Sequence, residues 1–545
     1  MEDCSRRSFL KGTALAAAGA MAVGITGCAP KQDAAAPSTA AGIEWDEAYD
    51  IVIVGGGLAG TAAALSVATE GNGASCLLME KGPTTLGGGN SGYSGGAVFF
   101  TDEEHRDDCL EYLKWMRGSF DTTPDDVLEA YTQQMTGILD FLKGLGARDE
   151  DMKVNMPGKL HSELGTCFPE YPELEVSKCV GVLSFKGEEM STIQKFMVSV
   201  VEQHADAITH KTNARLTSLV QDPDTKEILG AEYDDNGKTT YVKAEKGVIM
   251  CCGGFENDPV MKQDYLSMPK LYPAAGVQNT GDGFKICQKV GADFCHMNSF
   301  AGCWYTPEKI DGSNAAMFYS LAAEQGIIVG THGRRYFYDL AVQPVKLDWQ
   351  AIEAGESPLA ETATGIKHGH QNIGGEWPHM SLPSKSWFIV DAAHKDAATT
   401  NQITGEALAA DIEAEGWGYE SDTIVGLAEK IGVPADELER TVKTWNENCA
   451  AGFDAAFYRP EKWMTAVAEP PFYAVNLAPQ FLNTDGGPVR NAQAQIIDTE
   501  GNPIPRLYSS GEFGSLWCNV YQGGGNLSEC IAFSRIGVAH ALGLA

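Results

Sequence analysis

The chain has 545 residues, 43% of them hydrophobic and 21% charged, with 40 basic against 73 acidic side chains and a formal net charge of −33. This length can bury a large core in two to four domains, and the composition is that of a globular protein. The acidity excludes electrostatic capture of nucleic acid or of an anionic membrane surface, and it leaves the substrate open.

Ser5-Arg6-Arg7-Ser8-Phe9-Leu10-Lys11 precedes a small-residue run, Thr13 to Gly27, too short and too alanine-rich to span a bilayer. The paired arginines resemble a twin-arginine signal peptide, which predicts removal of residues 1–27 and export of an already folded protein. Ile25-Thr26-Gly27-Cys28 resembles a bacterial lipobox, so Cys28 is expected to anchor an extracytoplasmic protein through lipid alone. Residues 28–47, rich in Ala, Pro and Ser, read as a flexible tether.

The mature chain opens on Ile51-Val52-Ile53-Val54, a strand suited to burial on both faces. Gly55, Gly57 and Gly60 follow at G-x-G-x-x-G spacing, then Leu58 and Ala59 lead into a helix to Thr69. A second strand, Cys76 to Met79, ends on Glu80 and Lys81. The first glycine permits a tight turn, the second admits a pyrophosphate, and the third lets helix and strand pack closely. The acid can bind a ribose hydroxyl, and the helix N-terminus attracts the phosphates. Next, Gly89-Asn90-Ser91-Gly92 and Ser94-Gly95-Gly96 suit a backbone wrapped around a polar ligand.

Thr123 to Leu145 has one apolar helical face, and Ser191 to His204 reads as another helix. From Ala207 the pattern is β: Ala214 to Val220, then Ile228 to Tyr233 and Thr239 to Val242 flanking Asn236-Gly237, a hairpin turn. Gly247 to Cys251 leads into Cys252-Gly253-Gly254-Phe255, and Thr280-Gly281-Asp282-Gly283 opens a helix to Val290. Residues 291–482 lose this rhythm and include an αα-hairpin, Thr423 to Ile431 and Pro434 to Cys449. The first pattern returns in Gln495 to Asp498, Leu507 to Glu512 and a last helix, Ser528 to Leu542. The economical reading is an α/β first domain, residues 48–290 and 483–545, interrupted by an inserted second one.

The 14 cysteines are scattered without a C-x-x-C pair, so free buried thiols are expected, with no structural metal and no attached c-type haem. His368 and His370 lack further ligands and make no metal site.

These motifs together resemble the flavoprotein superfamily of soluble fumarate reductases, urocanate reductases and 3-ketosteroid dehydrogenases, over residues 48–545. The other matching stretches are Gly333 to Asp339, Pro470-Pro471-Phe472-Tyr473, Thr484-Asp485-Gly486-Gly487, Gly511-Glu512 and Gly524-Gly525-Asn526-Leu527. The resemblance implies a Rossmann-like, glutathione-reductase-like FAD-binding domain with an α+β capping domain at 291–482. It implies non-covalent FAD, with Gly55, Gly57, Gly60, Glu80, Asn90, Ser91 and Gly96 along the adenosine and pyrophosphate half. Ala214, Gly253 and Asp282 would add contacts, Glu512 would take a ribityl hydroxyl, and Asn526 and Leu527 would face the flavin.

The chain departs from fumarate reductases at three places. Their proton-donating arginine corresponds to Gln343, their carboxylate-binding arginine to Gln522, and a histidine to Asn483. Glutamine makes neither a bidentate carboxylate pair nor a useful acid, so fumarate is not the expected substrate. Tyr521, beside Gln522, resembles a catalytic tyrosine of ketosteroid dehydrogenases. Tyr305 and Tyr338 are further catalytic candidates, and Tyr93, Tyr336 and Trp517 could line a pocket. The expected activity is reduction of an activated C=C bond in an enoate, enone or steroid-like acceptor, with electrons from a separate membrane-linked haem or FMN protein. The alternatives are a ketosteroid-type dehydrogenase and a non-catalytic electron carrier.

Overall fold

The computed structural model describes residues 42–545 apart from 85–88, 119–121, 160–168, 172–173, 188–190, 269, 275, 314, 317–318, 338–383, 403, 519 and 545. Its fold is mixed α/β. Strand β1 (Glu47–Val54) is central, and Ile51 to Val54 are at most 7% exposed, as an apolar run without alternation requires. It pairs in parallel with β2 (Cys76–Met79) on one side and with the long strand β4 (Lys238–Met250) on the other. Strand β3 (Ile208–Lys211) extends the sheet beyond β2, and β5 (Pro503–Ser509) extends it beyond β4, both in parallel. Leu507 and Val248, more than 250 residues apart in the chain, are therefore neighbours in one sheet.

Two expected strands, Thr239 to Val242 and Gly247 to Cys251, are one: β4 runs unbroken because its first half pairs with the hairpin strand Ile228–Asp235 and its second with β5. The hairpin turn holds Asn236 and Gly237 at φ 53° and 90°, the left-handed pair that Asn-Gly supplies. The helix expected over Thr123 to Leu145 is two, Asp125–Met135 and Ile138–Gly144, broken at Thr136-Gly137, where glycine disfavours helix propagation.

Helix α1 (Leu58–Glu70) is buried along its first ten residues and packs against α2 (Gly525–Leu542), the last helix. Both are apolar nearly all round, as helices enclosed on several sides are. The Ser534 hydroxyl seals the contact by donating to Ala59 O at 2.7 Å.

The middle of the chain forms a second sheet around the 13-residue strand Phe472–Thr484, which pairs antiparallel with Phe300–Pro307, Ser386–Asp391 and Gly418–Ser421. The αα-hairpin lies over it as Ile424–Ile431 and Ala435–Ala451, with the Thr423 hydroxyl accepting from Gly426 N at 3.0 Å as an N-cap. Among the described residues, no helix is long and apolar enough to cross a membrane.

Candidate active site

A cleft opens where β1, β2 and β4 end. Gly55, at φ +107°, brings the end of β1 against β4: a Cβ there would lie 2.2 Å from Cys251 O. A Cβ on Gly60 would lie 1.8 Å from Gly55 O, so only glycine lets α1 start this close to the strand. Leu58 and Ala59 line the cleft beside Gly57. The Leu58 N–H, a free donor at the start of α1, is met by Ser91 Oγ at 2.9 Å.

Glu80 is 6% exposed and accepts from Gly56 N at 2.8 Å and Gly82 N at 2.7 Å. Lys81 reaches Asp282 at 3.1 Å and the Thr280 hydroxyl at 2.7 Å, and Arg215 reaches Asp282 at 3.2 Å. Burial alone would raise the Asp282 carboxyl, but Lys81 and Arg215 hold it below the usual carboxylate range. Ala214, Cys252 and Gly253 close the same wall.

A second cavity shares Asn90, Ser91, Glu512 and Cys530 with the first. Gly95, Gly96, Asn483, Tyr521, Asn526 and Leu527 line it. Tyr521 is 6% exposed, and its hydroxyl oxygen accepts from Gly524 N at 3.1 Å and Asn526 N at 3.4 Å, at the N-terminus of α2. Its ring meets Trp517 edge-on, centroids 5.7 Å apart. The Asn526 amide donates to Asn483 Oδ1 at 2.6 Å, and Asn483 donates to Asp485 at 3.3 Å. No arginine or lysine is among the described residues that line this cavity.

Other predicted residues lie elsewhere. Gln522 turns away from the cavity and accepts at Oε1 from the buried Tyr112 hydroxyl at 2.6 Å. That hydroxyl also accepts from Glu170 N at 2.8 Å. Tyr305 stands opposite Pro479, four residues along the strand from the position facing Asn483, about 13 Å away. It bonds Tyr336 at 2.7 Å and lines a different cavity with Trp387 and Tyr419. Arg334 pairs with Glu437, and Arg335 with Asp454. Tyr338, Gln343, His368 and His370 lie outside the described residues. Cys76, Cys109, Cys179, Cys251, Cys287 and Cys530 are buried free thiols. The roles of five buried side chains escaped sequence reading: Tyr112, Glu256, Asp485 and the Arg490–Glu529 pair. A charged residue in an otherwise apolar stretch was the signal available for Arg490 and Glu529.

Tyr112→Phe should lower stability by about 0.5–1.5 kcal/mol, because it removes the hydroxyl that bridges buried Gln522 Oε1 and Glu170 N, which keep their own contact at 3.4 Å. A denaturant midpoint measured beside the parent protein checks this.

The two cavities fit a bound dinucleotide. Backbone glycines form a cradle that any side chain would fill. Asn279 Nδ2 and Asn526 Oδ1 are buried without a partner among the described residues, as atoms awaiting a ligand are. The comparisons agree with this fit. The chain belongs to the FAD binding domain family, whose model matches residues 50–527. It is an FAD-dependent oxidoreductase, and FAD is its cofactor.

Among its relatives, the digoxin reductase of Eggerthella lenta is 25% identical, over 97% of this chain and 93% of that protein. The 3-oxosteroid 1-dehydrogenase of Mycolicibacterium smegmatis is 24% identical, over 90% of this chain and 96% of that protein. The crystal structure of 3-ketosteroid delta1-dehydrogenase from Sterolibacterium denitrificans, in complex with 1,4-androstadiene-3,17-dione, superposes with a TM-score of 0.67 at 20% identity. It covers 91% of this chain and 100% of that one.

Proposed function

We propose that the protein reduces an activated C=C bond of a small, uncharged carbonyl compound, an enone or a steroid-like acceptor. The observation that carries this reading is Tyr521, anchored on two backbone N–H groups in a cavity whose described lining holds amides, hydroxyls and apolar groups but no cation. A dicarboxylate such as fumarate needs charge-assisted donors, and Asn483 and Asn526 supply neutral ones.

When bound, FAD supplies two-electron transfer to or from carbon. Gly55, Gly57, Glu80, Asn90, Ser91 and Asp282 would hold its adenosine and pyrophosphate part, with Glu512, Asn526 and Leu527 around its other end. Tyr521 holds the proton that the second carbon of the double bond receives. Its oxygen is fixed from behind by Gly524 and Asn526, so the hydroxyl has one defined position. The Asn483–Asn526 pair offers amide groups that polarise a carbonyl and keep the acceptor oriented. Leu482 and Leu527 exclude water around it. In this reading residues 48–290 and 483–545 form a Rossmann-like FAD domain, and 291–482 cap it.

The dehydrogenase relatives favour a second reading, the same chemistry run in the oxidative direction. In either direction electrons pass through a separate carrier, a haem or FMN protein at the membrane. Export by the twin-arginine signal and anchoring at Cys28 would place the enzyme beside that carrier.

Anaerobic reduction of the purified holoenzyme, followed by enoates, enones and steroids, tests the proposal. Neutral enones should restore the oxidised flavin spectrum faster than fumarate. Preferential reoxidation by fumarate would overturn the substrate class, and bleaching of oxidised enzyme by a saturated ketone would establish the dehydrogenase.

A further inference from the structure

Glu256 and Glu512 stand in the turns that follow β4 and β5. Glu256 is fully buried, and Glu512 is shared by the walls of both cavities. Their carboxyl groups converge on Gly254, where a Cβ would lie 2.5 Å from Glu256 Oε1 and 2.3 Å from Glu512 Oε1. Glu256 Oε1 accepts from the Thr484 N–H at 2.7 Å and from its hydroxyl at 3.1 Å. Glu512 Oε2 accepts from the Asn90 amide at 2.9 Å. The remaining oxygens, Glu256 Oε2 and Glu512 Oε1, are buried and receive no donor. Both Oε1 atoms lie within 2.5 Å of the point that a Gly254 Cβ would occupy, so the two carboxyl groups adjoin.

Two acceptor oxygens cannot face each other in a buried site when both groups are ionised. One proton between them removes both the repulsion and the unmet acceptors. We infer that Glu512 is a neutral carboxylic acid that donates from Oε1 to Glu256 Oε2, so that the pair presents one negative charge, not two, to the cofactor cleft. The proton is placed on Glu512 because one donor serves it, whereas two already serve Glu256. Burial and the neighbouring Glu256 push the Glu512 carboxyl well above the usual range.

Among the described residues, no salt bridge joins the pair to a cation. Lys262 gives its ammonium to Leu271 O at 2.7 Å, and Arg490 is committed to Glu529. His296 bonds Ser515 O, and the Cys530 thiol is pushed up to about 12 by burial. Asp485 is pushed up to about 8, again by burial, and adds no charge at neutral pH. Glu256 is thus a positioning residue: it fixes the protonated Glu512 in the wall that both cavities share. Loss of the shared proton would set a second negative charge against a cofactor that already carries an anionic pyrophosphate. The inference rests on FAD as the cofactor and on neither the substrate nor the direction of the reaction.

The test is FAD release from the dilute holoenzyme, read by flavin fluorescence from about pH 6 to about pH 10. The Kd of the parent should rise by up to about tenfold per pH unit once the shared proton is lost. Glu256→Gln keeps a donor on Glu512 whatever the pH, so its alkaline limb should be shallower than the parent's, with only the part due to Asp485 left. A limb of equal slope in parent and variant, or a flat parent, would overturn the pairing. Should Glu256→Gln fail to fold with FAD, infrared spectra of the Asp485→Asn holoenzyme decide. A protonated-carboxyl band that shifts in deuterium oxide and vanishes over the same alkaline limb supports the pair, and its absence refutes it.

Discussion

Tyr521→Phe should slow reduction of the enone acceptor by about 10²- to 10⁴-fold, the usual contribution of a positioned general acid, with FAD still bound at full stoichiometry. The hydroxyl is the only part removed, and the ring stays packed against Trp517. Gly524 N and Asn526 N lose an acceptor, so a small fall in stability accompanies the variant. That fall is separable from the rate effect by comparing single-turnover reoxidation at a temperature where both proteins are fully folded. The deficit should lie in the rate at saturating acceptor and not in KM, because the proton moves only in the transition state. Undiminished turnover would remove Tyr521 from the reaction.

The second large effect is structural. Asp454→Ala should cost about 3–5 kcal/mol, since it leaves a buried guanidinium without its counter-ion. Arg335 is paired with Asp454 through two bonds, at 3.0 and 2.9 Å, and both groups are almost fully enclosed. Trp445 carries Arg335 over its ring at 4.6 Å and Arg459 at 4.8 Å, so the loss propagates into the αα-hairpin. The parent should show a matching acid sensitivity. Burial alone would raise the Asp454 carboxyl, but Arg335 holds it below the usual range. Its contribution is therefore complete above the ordinary carboxylate pKa and drains away as pH falls through the depressed value. Denaturant midpoints of both proteins, taken from neutral pH into acid, should converge as this contribution disappears. Parallel curves would show that the pair adds nothing.

Much of the cofactor half was legible because its determinants are local. Gly55 to Glu80 is a strand, a turn, a helix and a strand, and each part declares itself within a few residues. Glu512 and Asn526 were reached through their resemblance to a family, since nothing near them in the chain points to a flavin. The errors lie where direction and register decide. Gln522 follows Tyr521 immediately, yet the turn aims one at the cavity and the other at Tyr112. Tyr305 occupies the right strand but pairs four residues from the position that faces Asn483. Glu256 stands one residue past the Gly253-Gly254-Phe255 stretch, and its meaning depends on Glu512, which is 256 residues away in sequence. Contacts of that range leave no pattern in either segment alone.

The order in which the sheet is assembled has a consequence for biosynthesis. Gly55 to Gly60 emerges early, whereas β5, Glu512, Tyr521 and the start of α2 follow more than 400 residues later. A nascent chain lacking them has one wall of the cleft and an unpaired edge on β4, a template for misassociation. A chain cut before Gly525 should therefore yield apo-protein prone to aggregate, which flavin content and light scattering check.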